Sequence, residues 1–170
     1  RLVTAPQLGP TGERVIATFL NGHPTAQRVY DDPLGITAIA EAHLATHGVA
    51  AIPVYHLDRA RVIVSFSADI LGTWLSPVTF TRQLSAARGA VGKEPRLIQL
   101  EPAMSITGAS ADVRWNLAPD DVVPALAALA ARLGVANVSG SVPELEAARL
   151  DRLAAELHAA RGASLVVTGS

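Results

Sequence analysis

Alternating strand-like and helix-like segments joined by short connections predict an α/β fold: a three-layer, mostly parallel, Rossmann-like sheet with helices on both faces. Three observations lead there. The run Val62–Phe66 is short, almost wholly apolar and rich in β-branched residues, as a strand covered on both faces should be. Polar and conformationally special residues (Ser67, Asp69, Gly72, Thr73 and Trp74) follow at once, and Ser76-Pro77 then supplies the serine and first-turn proline of a helix start. Of the 170 residues, 49% are hydrophobic but only 4% aromatic, so one domain's worth of chain must build an aliphatic core.

The other elements follow in order. Leu2-Val3-Thr4-Ala5 reads as a first strand and Gly9-Pro10-Thr11-Gly12 as a turn. Val15, Ile16, Phe19 and Leu20 form a helical stripe that stops at Asn21-Gly22. Gln27 to Tyr30 suits a second strand. Asp32-Pro33 starts a helix with Ile36, Ile39, Ala40 and Leu44 on one face and Gly48 as its stop. The stretch from Val49 to Asp58, interrupted by Pro53, is irregular. After the Val62–Phe66 strand, Phe80, Leu84 and Ala87 face the sheet from the helix opened by Ser76, and Gly89 ends it. Arg96 to Leu100 is the next strand, Glu101 to Ala111 a loop, and Val113 to Leu117 another strand. Asp120 or Asp121 caps a helix bearing Val122, Leu126, Leu129 and Leu133, with Gly134 as its end. Ser141-Val142-Pro143-Glu144 has capping-box spacing for a last helix reaching Gly162, and Ala163 to Thr168 reads as a closing strand. No internal repeat or low-complexity linker interrupts the series. The strand-like segments at both ends lead us to expect a single domain, residues 1–170, excised from a longer chain.

Composition removes several function classes. A net charge of −1 without a basic cluster leaves no electrostatic footprint for nucleic acid or anionic lipid. Cysteine is absent, so these residues hold no disulfide, thiolate zinc site or cysteine-ligated iron–sulfur cluster. No apolar run approaches the roughly 18 residues of a membrane span, so no direct membrane insertion is expected.

Motifs with chemistry are few. His43 and His47 stand at i, i+4, a spacing that can hold zinc, but Leu44-Ala45-Thr46 lacks the metalloprotease glutamate and no third ligand is evident. His47 in a last turn is also favoured by the helix dipole. Gly89-Ala90-Val91-Gly92-Lys93-Glu94 resembles a phosphate loop only loosely: it follows a helix, and Glu94 stands where Ser or Thr should be. Gly9-Pro10-Thr11-Gly12 is better placed for a phosphate but lacks the dinucleotide fingerprint. No Gly-x-Ser-x-Gly elbow occurs, and Asp31-Asp32 and Asp120-Asp121 are explained by capping. No catalytic or metal-ligating set emerges. Trp74 remains, either packed under a neighbouring segment or offered to a partner or ring-shaped ligand. Asp69, Thr73 and Ser76 beside it could take hydrogen bonds from a nucleobase. The loop Glu101-Pro102-Ala103-Met104-Ser105-Ile106-Thr107-Gly108 could complete the same crevice, beyond the carboxyl ends of two neighbouring strands.

These loops carry a resemblance. Ile52-Pro53-Val54-Tyr55-His56-Leu57-Asp58, the stretch from Val62 through Ala68-Asp69-Ile70-Leu71-Gly72-Thr73-Trp74 to Pro77, Gln99-Leu100-Glu101, and Ser105-Ile106-Thr107-Gly108-Ala109-Ser110-Ala111-Asp112-Val113-Arg114 together resemble the molybdopterin oxidoreductase superfamily. More narrowly the chain is similar to the large peripheral subunit of alternative complex III, a membrane-bound quinol-oxidising assembly, whose members are also labelled iron–sulfur hydrogenase components. In catalytic members of the superfamily the matching domain holds one nucleotide of molybdopterin guanine dinucleotide. Carried over, the cofactor-binding residues would be Ser67, Asp69, Thr73, Trp74, Ser76, Glu101 and Thr107. The superfamily usually shows Gly-x-Asn-Pro after the first strand and Asp-Pro-Arg after the second; here Ser67-Ala68-Asp69-Ile70 and Glu101-Pro102-Ala103 stand instead. The alternative-complex subunits are thought to lack the pterin, and this chain follows their pattern. The resemblance therefore implies a non-catalytic structural domain of a membrane-associated respiratory oxidoreductase, with Trp74 and its loop packed against another domain or subunit. It further implies a place on the periplasmic face of a bacterial inner membrane, other domains and subunits of the complex as partners, and any iron–sulfur clusters elsewhere in the parent chain. The alternative it leaves open is a dinucleotide-binding domain of an active molybdenum oxidoreductase.

Overall fold

The computed structural model describes residues 1–5, 9–31, 36–90, 92 and 94–169. They divide into two compact units, residues 1–53 and 54–169. The first contains β1 (Leu2–Thr4), α1 (Pro10–Gly22), β2 (Arg28–Tyr30) and α2 (Ile36–His47). β1 and β2 pair in parallel, with Val3 opposite Val29. Gly9 and Pro10, read from the sequence as part of a turn, are instead the N-cap and first residue of α1, because a proline's fixed φ suits the first helical position. Ile16 and Leu20 are half-buried, whereas Val15 and Phe19 on the same stripe are exposed. Arg28 ties the helix to the strands: its two terminal nitrogens donate to Glu13 Oε2 and Oε1 at 2.7 and 2.9 Å, and its Nε donates to Thr4 Oγ1 at 2.8 Å. The hydrogen-bonded guanidinium holds the Glu13 carboxyl below its ordinary range. Gly48 ends α2 with φ +73°, a left-handed conformation that suits glycine. The expected start of that helix at Asp32-Pro33 lies outside the described residues, as do Val91 and Lys93.

The second unit begins with a single 3-10 turn at Leu57–Arg59. There follow β3 (Val62–Phe66), α3 (Pro77–Arg88), β4 (Arg96–Glu101), α4 (Ile106–Ser110), β5 (Val113–Asn116), α5 (Pro119–Arg132), α6 (Glu144–Ala159) and β6 (Ser164–Thr168). The four strands form one parallel sheet in the order β5-β4-β3-β6. All five residues of β3 are buried, as a central parallel strand requires. Its alternating side chains feed two cores. Ile63, with Leu97 and Val167, packs on Leu57, Phe80 and Leu84; Val62, Val64 and Phe66, with Ile98 and Leu100, pack on α5 and α6. Phe80, Leu84 and Ala87 are the buried face of α3 that their spacing predicts. The fold class is thus α/β, with helices on both faces of a parallel sheet.

The start of α3 falls where the sequence places it, and two later starts are shifted. Ser76 sits at the N-cap of α3, but its hydroxyl bonds Thr79 Oγ1 at 3.0 Å instead of capping a backbone amide. Neither Asp120 nor Asp121 caps α5: Ala118 does, Pro119 takes the first position, and the two acids fall in the first turn, where the dipole still favours them. The box at Ser141 does not form. α6 begins at Glu144 behind Pro143, because a proline pushes the residue before it out of helical geometry. The stretch from Glu101 to Ala111, read as loop, contains the five-residue α4, too short for a periodic signal.

The chain leaves β3 toward β4 through α3 and returns through α5 and α6 to β6 on the other side. The connections therefore reverse at the β3–β6 boundary, the kind of point where open α/β sheets bind ligands. Strand pairing continues to that boundary: Gly169 N donates to Phe66 O at 2.8 Å, and a Cβ at Gly169 would lie 2.5 Å from Ser67 O.

Candidate functional site

Parallel, in-register pairing of β3 with β4 brings the two loops beyond their carboxyl ends together. Ser67 leaves β3 with φ +54°, a conformation that non-glycine residues rarely adopt, and its amide donates to Leu100 O at 2.8 Å. The chain then winds into a compact turn around Asp69, whose carbonyl accepts from the amides of Gly72, Thr73 and Trp74 at 3.1, 3.0 and 2.9 Å. The Asp69 side chain points the other way. Its Oδ1 accepts from Thr107 N at 3.0 Å and from Thr107 Oγ1 at 2.8 Å. Thr107 is fully buried, and its hydroxyl also accepts from Leu71 N at 2.9 Å, so the hydroxyl both donates and accepts within the two loops.

Glu101 anchors the second loop from below and is 2% exposed. Oε1 accepts from Arg114 Nε at 2.7 Å and Ser105 N at 3.1 Å, and Oε2 accepts from Gln99 Nε2 at 3.0 Å. Burial pushes the Glu101 carboxyl up, but hydrogen bonds from Ser105, Arg114 and Gln99 together outweigh it and hold the group below its ordinary range. Ser105 completes the turn as the N-cap of α4, accepting from Gly108 N at 3.0 Å. Gly108 must be glycine-sized, since a methyl there would overlap Glu101 Oε1. Beneath both loops, Ser65 Oγ donates to Ala68 O at 2.8 Å and Gln99 Nε2 reaches the same oxygen at 3.4 Å, while Gln99 Oε1 is buried without a partner among the described residues.

The seven residues singled out in the sequence therefore separate into two groups. Asp69, Glu101 and Thr107 are brought together and bonded to protein groups, while Thr73 and Ser76 are exposed and Ser67 is half-buried at the bend. Trp74 is stacked on Tyr55, ring centroids 5.5 Å apart, and lies 6.2 Å from Phe80. The ring expected to face another domain or subunit packs within its own unit. Its Nε1 is buried with no partner among the described residues, and burial raises the Tyr55 phenol above its ordinary value. Sequence reasoning gave no role to Ser65, Gln99, Ser105 or Arg114. A glutamine and a serine inside otherwise apolar strands were the available signal, because a buried polar side chain needs partners.

Other chemistry does not gather here. His43 and His47 stack at 5.1 Å on α2, and among the described residues no three or more of His, Asp and Glu are placed to hold a metal. No described helix is long and apolar enough to cross a membrane. A groove of about 290 Å³ runs beside β5 and α6, away from these loops. The chain matches no protein-family model and no curated protein.

Proposed function

We propose that the chain is a non-catalytic, Rossmann-like structural domain of a membrane-associated, quinol-oxidising respiratory oxidoreductase subunit of the molybdopterin-oxidoreductase type. The observation that carries the non-catalytic half is the pairing of the strand-tip polar groups with each other. A guanine dinucleotide would need the Asp69 carboxylate, the Thr107 hydroxyl and the Glu101 carboxylate, and each is already bonded to Thr107, Leu71, Ser105, Arg114 or Gln99. Freeing the buried Thr107 and Glu101 would leave their groups unpaired at about 1–3 kcal/mol each. These paired residues do not fit the dinucleotide. The absence of Gly-x-Asn-Pro and Asp-Pro-Arg agrees with this reading. The respiratory half rests on the resemblance alone. Partners would be other domains and subunits of the complex, and any iron–sulfur clusters would belong to those parts, since this chain has no cysteine.

Isothermal titration of the chain with guanosine diphosphate tests the reading. The expected result is no saturable heat. Saturable binding that Thr73→Ala weakens, with the fold unchanged by circular dichroism, would instead establish a nucleotide site on these loops. For the assembly half, the test is co-purification of the tagged parent protein from membranes with quinol-oxidising activity; recovery of the parent as a free soluble protein would count against it.

A further inference from the structure

At the edge of the sheet, β5 has, among the described residues, a strand neighbour on one side only. Its side chains Val113 and Trp115 join the core layer beneath α5 and α6 without being fully buried. Between them and α6 runs the groove of about 290 Å³, floored by Ile98, Val113, Trp115 and Leu153. Its walls carry Arg96, Arg149 and Arg152 against a single acid, Glu156. Arg96 is paired with Glu156 at 2.7 Å, and Arg149 leans toward the Trp115 ring at 5.9 Å while contacting Glu146 at 3.2 Å. Arg152 is exposed and makes no ion pair among the described residues. An apolar floor, an excess of guanidinium groups and an open strand edge thus lie side by side.

We propose that this groove docks an extended, carboxylate-bearing segment of a partner protein, added alongside β5 with its acidic side chains under Arg149 and Arg152. The chemistry of the two sides is complementary. An open edge offers a row of unpaired amides and carbonyls that a strand satisfies. Alternate side chains of such a strand face the layer that holds Trp115 and α6. Guanidinium groups then pair with its carboxylates in forked geometry. The inference does not depend on the scaffold reading. The groove lies toward the amino ends of β4 and β5, where Arg96 and Val113 stand, and it uses none of the loop residues beyond their carboxyl ends.

The test is an amide chemical-shift titration of the isotope-labelled 170-residue chain with a short synthetic peptide of alternating valine and glutamate. Expected are saturable shifts at Val113–Asn116 and at Arg149 and Arg152, lost when glutamine replaces glutamate in the peptide. Arg152→Glu, at an exposed position that leaves the fold intact, should weaken binding about fivefold or more, the size of an exposed ion pair removed and reversed. Three results would overturn the proposal: no shifts at β5, equal binding of the glutamine peptide, or indifference to Arg152→Glu. Glutarate alone reproducing the same shifts would also overturn it, by assigning the groove to small dicarboxylates.

Discussion

Glu101 is the residue on which the loop geometry turns, because it is nearly fully buried and charged. Its carboxylate is tolerable there only with Arg114, Ser105 and Gln99 donating to it. Glu101→Gln keeps the shape but weakens the contact with Arg114, and urea denaturation should show a loss of about 1–3 kcal/mol. The pH dependence has a definite sign. The folded carboxyl lies below its ordinary value of 4.5, so its stabilisation is complete above that value and lost as acid protonates the folded protein. Wild-type stability should therefore fall more steeply than that of Glu101→Gln as pH drops below 4.5. Parallel curves for the two proteins would contradict the assignment. Of this network, Glu101 could be singled out in sequence because it stands at the carboxyl end of a strand. Arg114 could not, since it sits on β5 and meets Glu101 only after β4 and β5 are paired in register.

Among the elements, those with strong periodicity were legible, as was the start that Pro77 marks, and those held by a few polar contacts were not. The buried run of β3 and the Phe80–Leu84–Ala87 face of α3 follow from residue spacing. α4 is different: five residues with a serine cap give no periodic stripe, and what holds it is Ser105 with the close approach of Gly108 to Glu101. Two glycine substitutions separate these causes. Gly108→Ala must displace a pinned carboxylate and should cost about 1–3 kcal/mol by thermal or urea unfolding. Gly89→Ala, at φ −78° with its nearest contacts at 3.5 and 3.6 Å, should be neutral or slightly stabilising. Equal effects at the two sites would mean that α4 is not held by Glu101. Phe80→Ala would strip Tyr55 and Trp74 of their common neighbour, and should cost about 3–5 kcal/mol in the same measurement.

For the whole molecule, an aliphatic composition becomes two hydrophobic layers on either side of one four-stranded sheet, both drawn from residues 54–169. Those residues should unfold cooperatively when expressed alone. In the intact chain, native-state hydrogen exchange should be slowest at Val62–Phe66 and faster at β1 and β2, whose residues are all half-buried or exposed. Protection of β1 equal to that of β3 would show that the two units unfold together. The crossover order and the shape of the strand-tip crevice depend on contacts far apart in sequence, so residue periodicity could suggest the crevice but not what fills it.

The central claim is that the two strand-tip loops are bonded to each other and not held open for a ligand. A double-mutant cycle on Asp69→Ala and Thr107→Val, followed by urea denaturation, measures that bond directly. A coupling of about 0.5–3 kcal/mol between the two side chains is expected. Strictly additive effects, with no coupling, would contradict it.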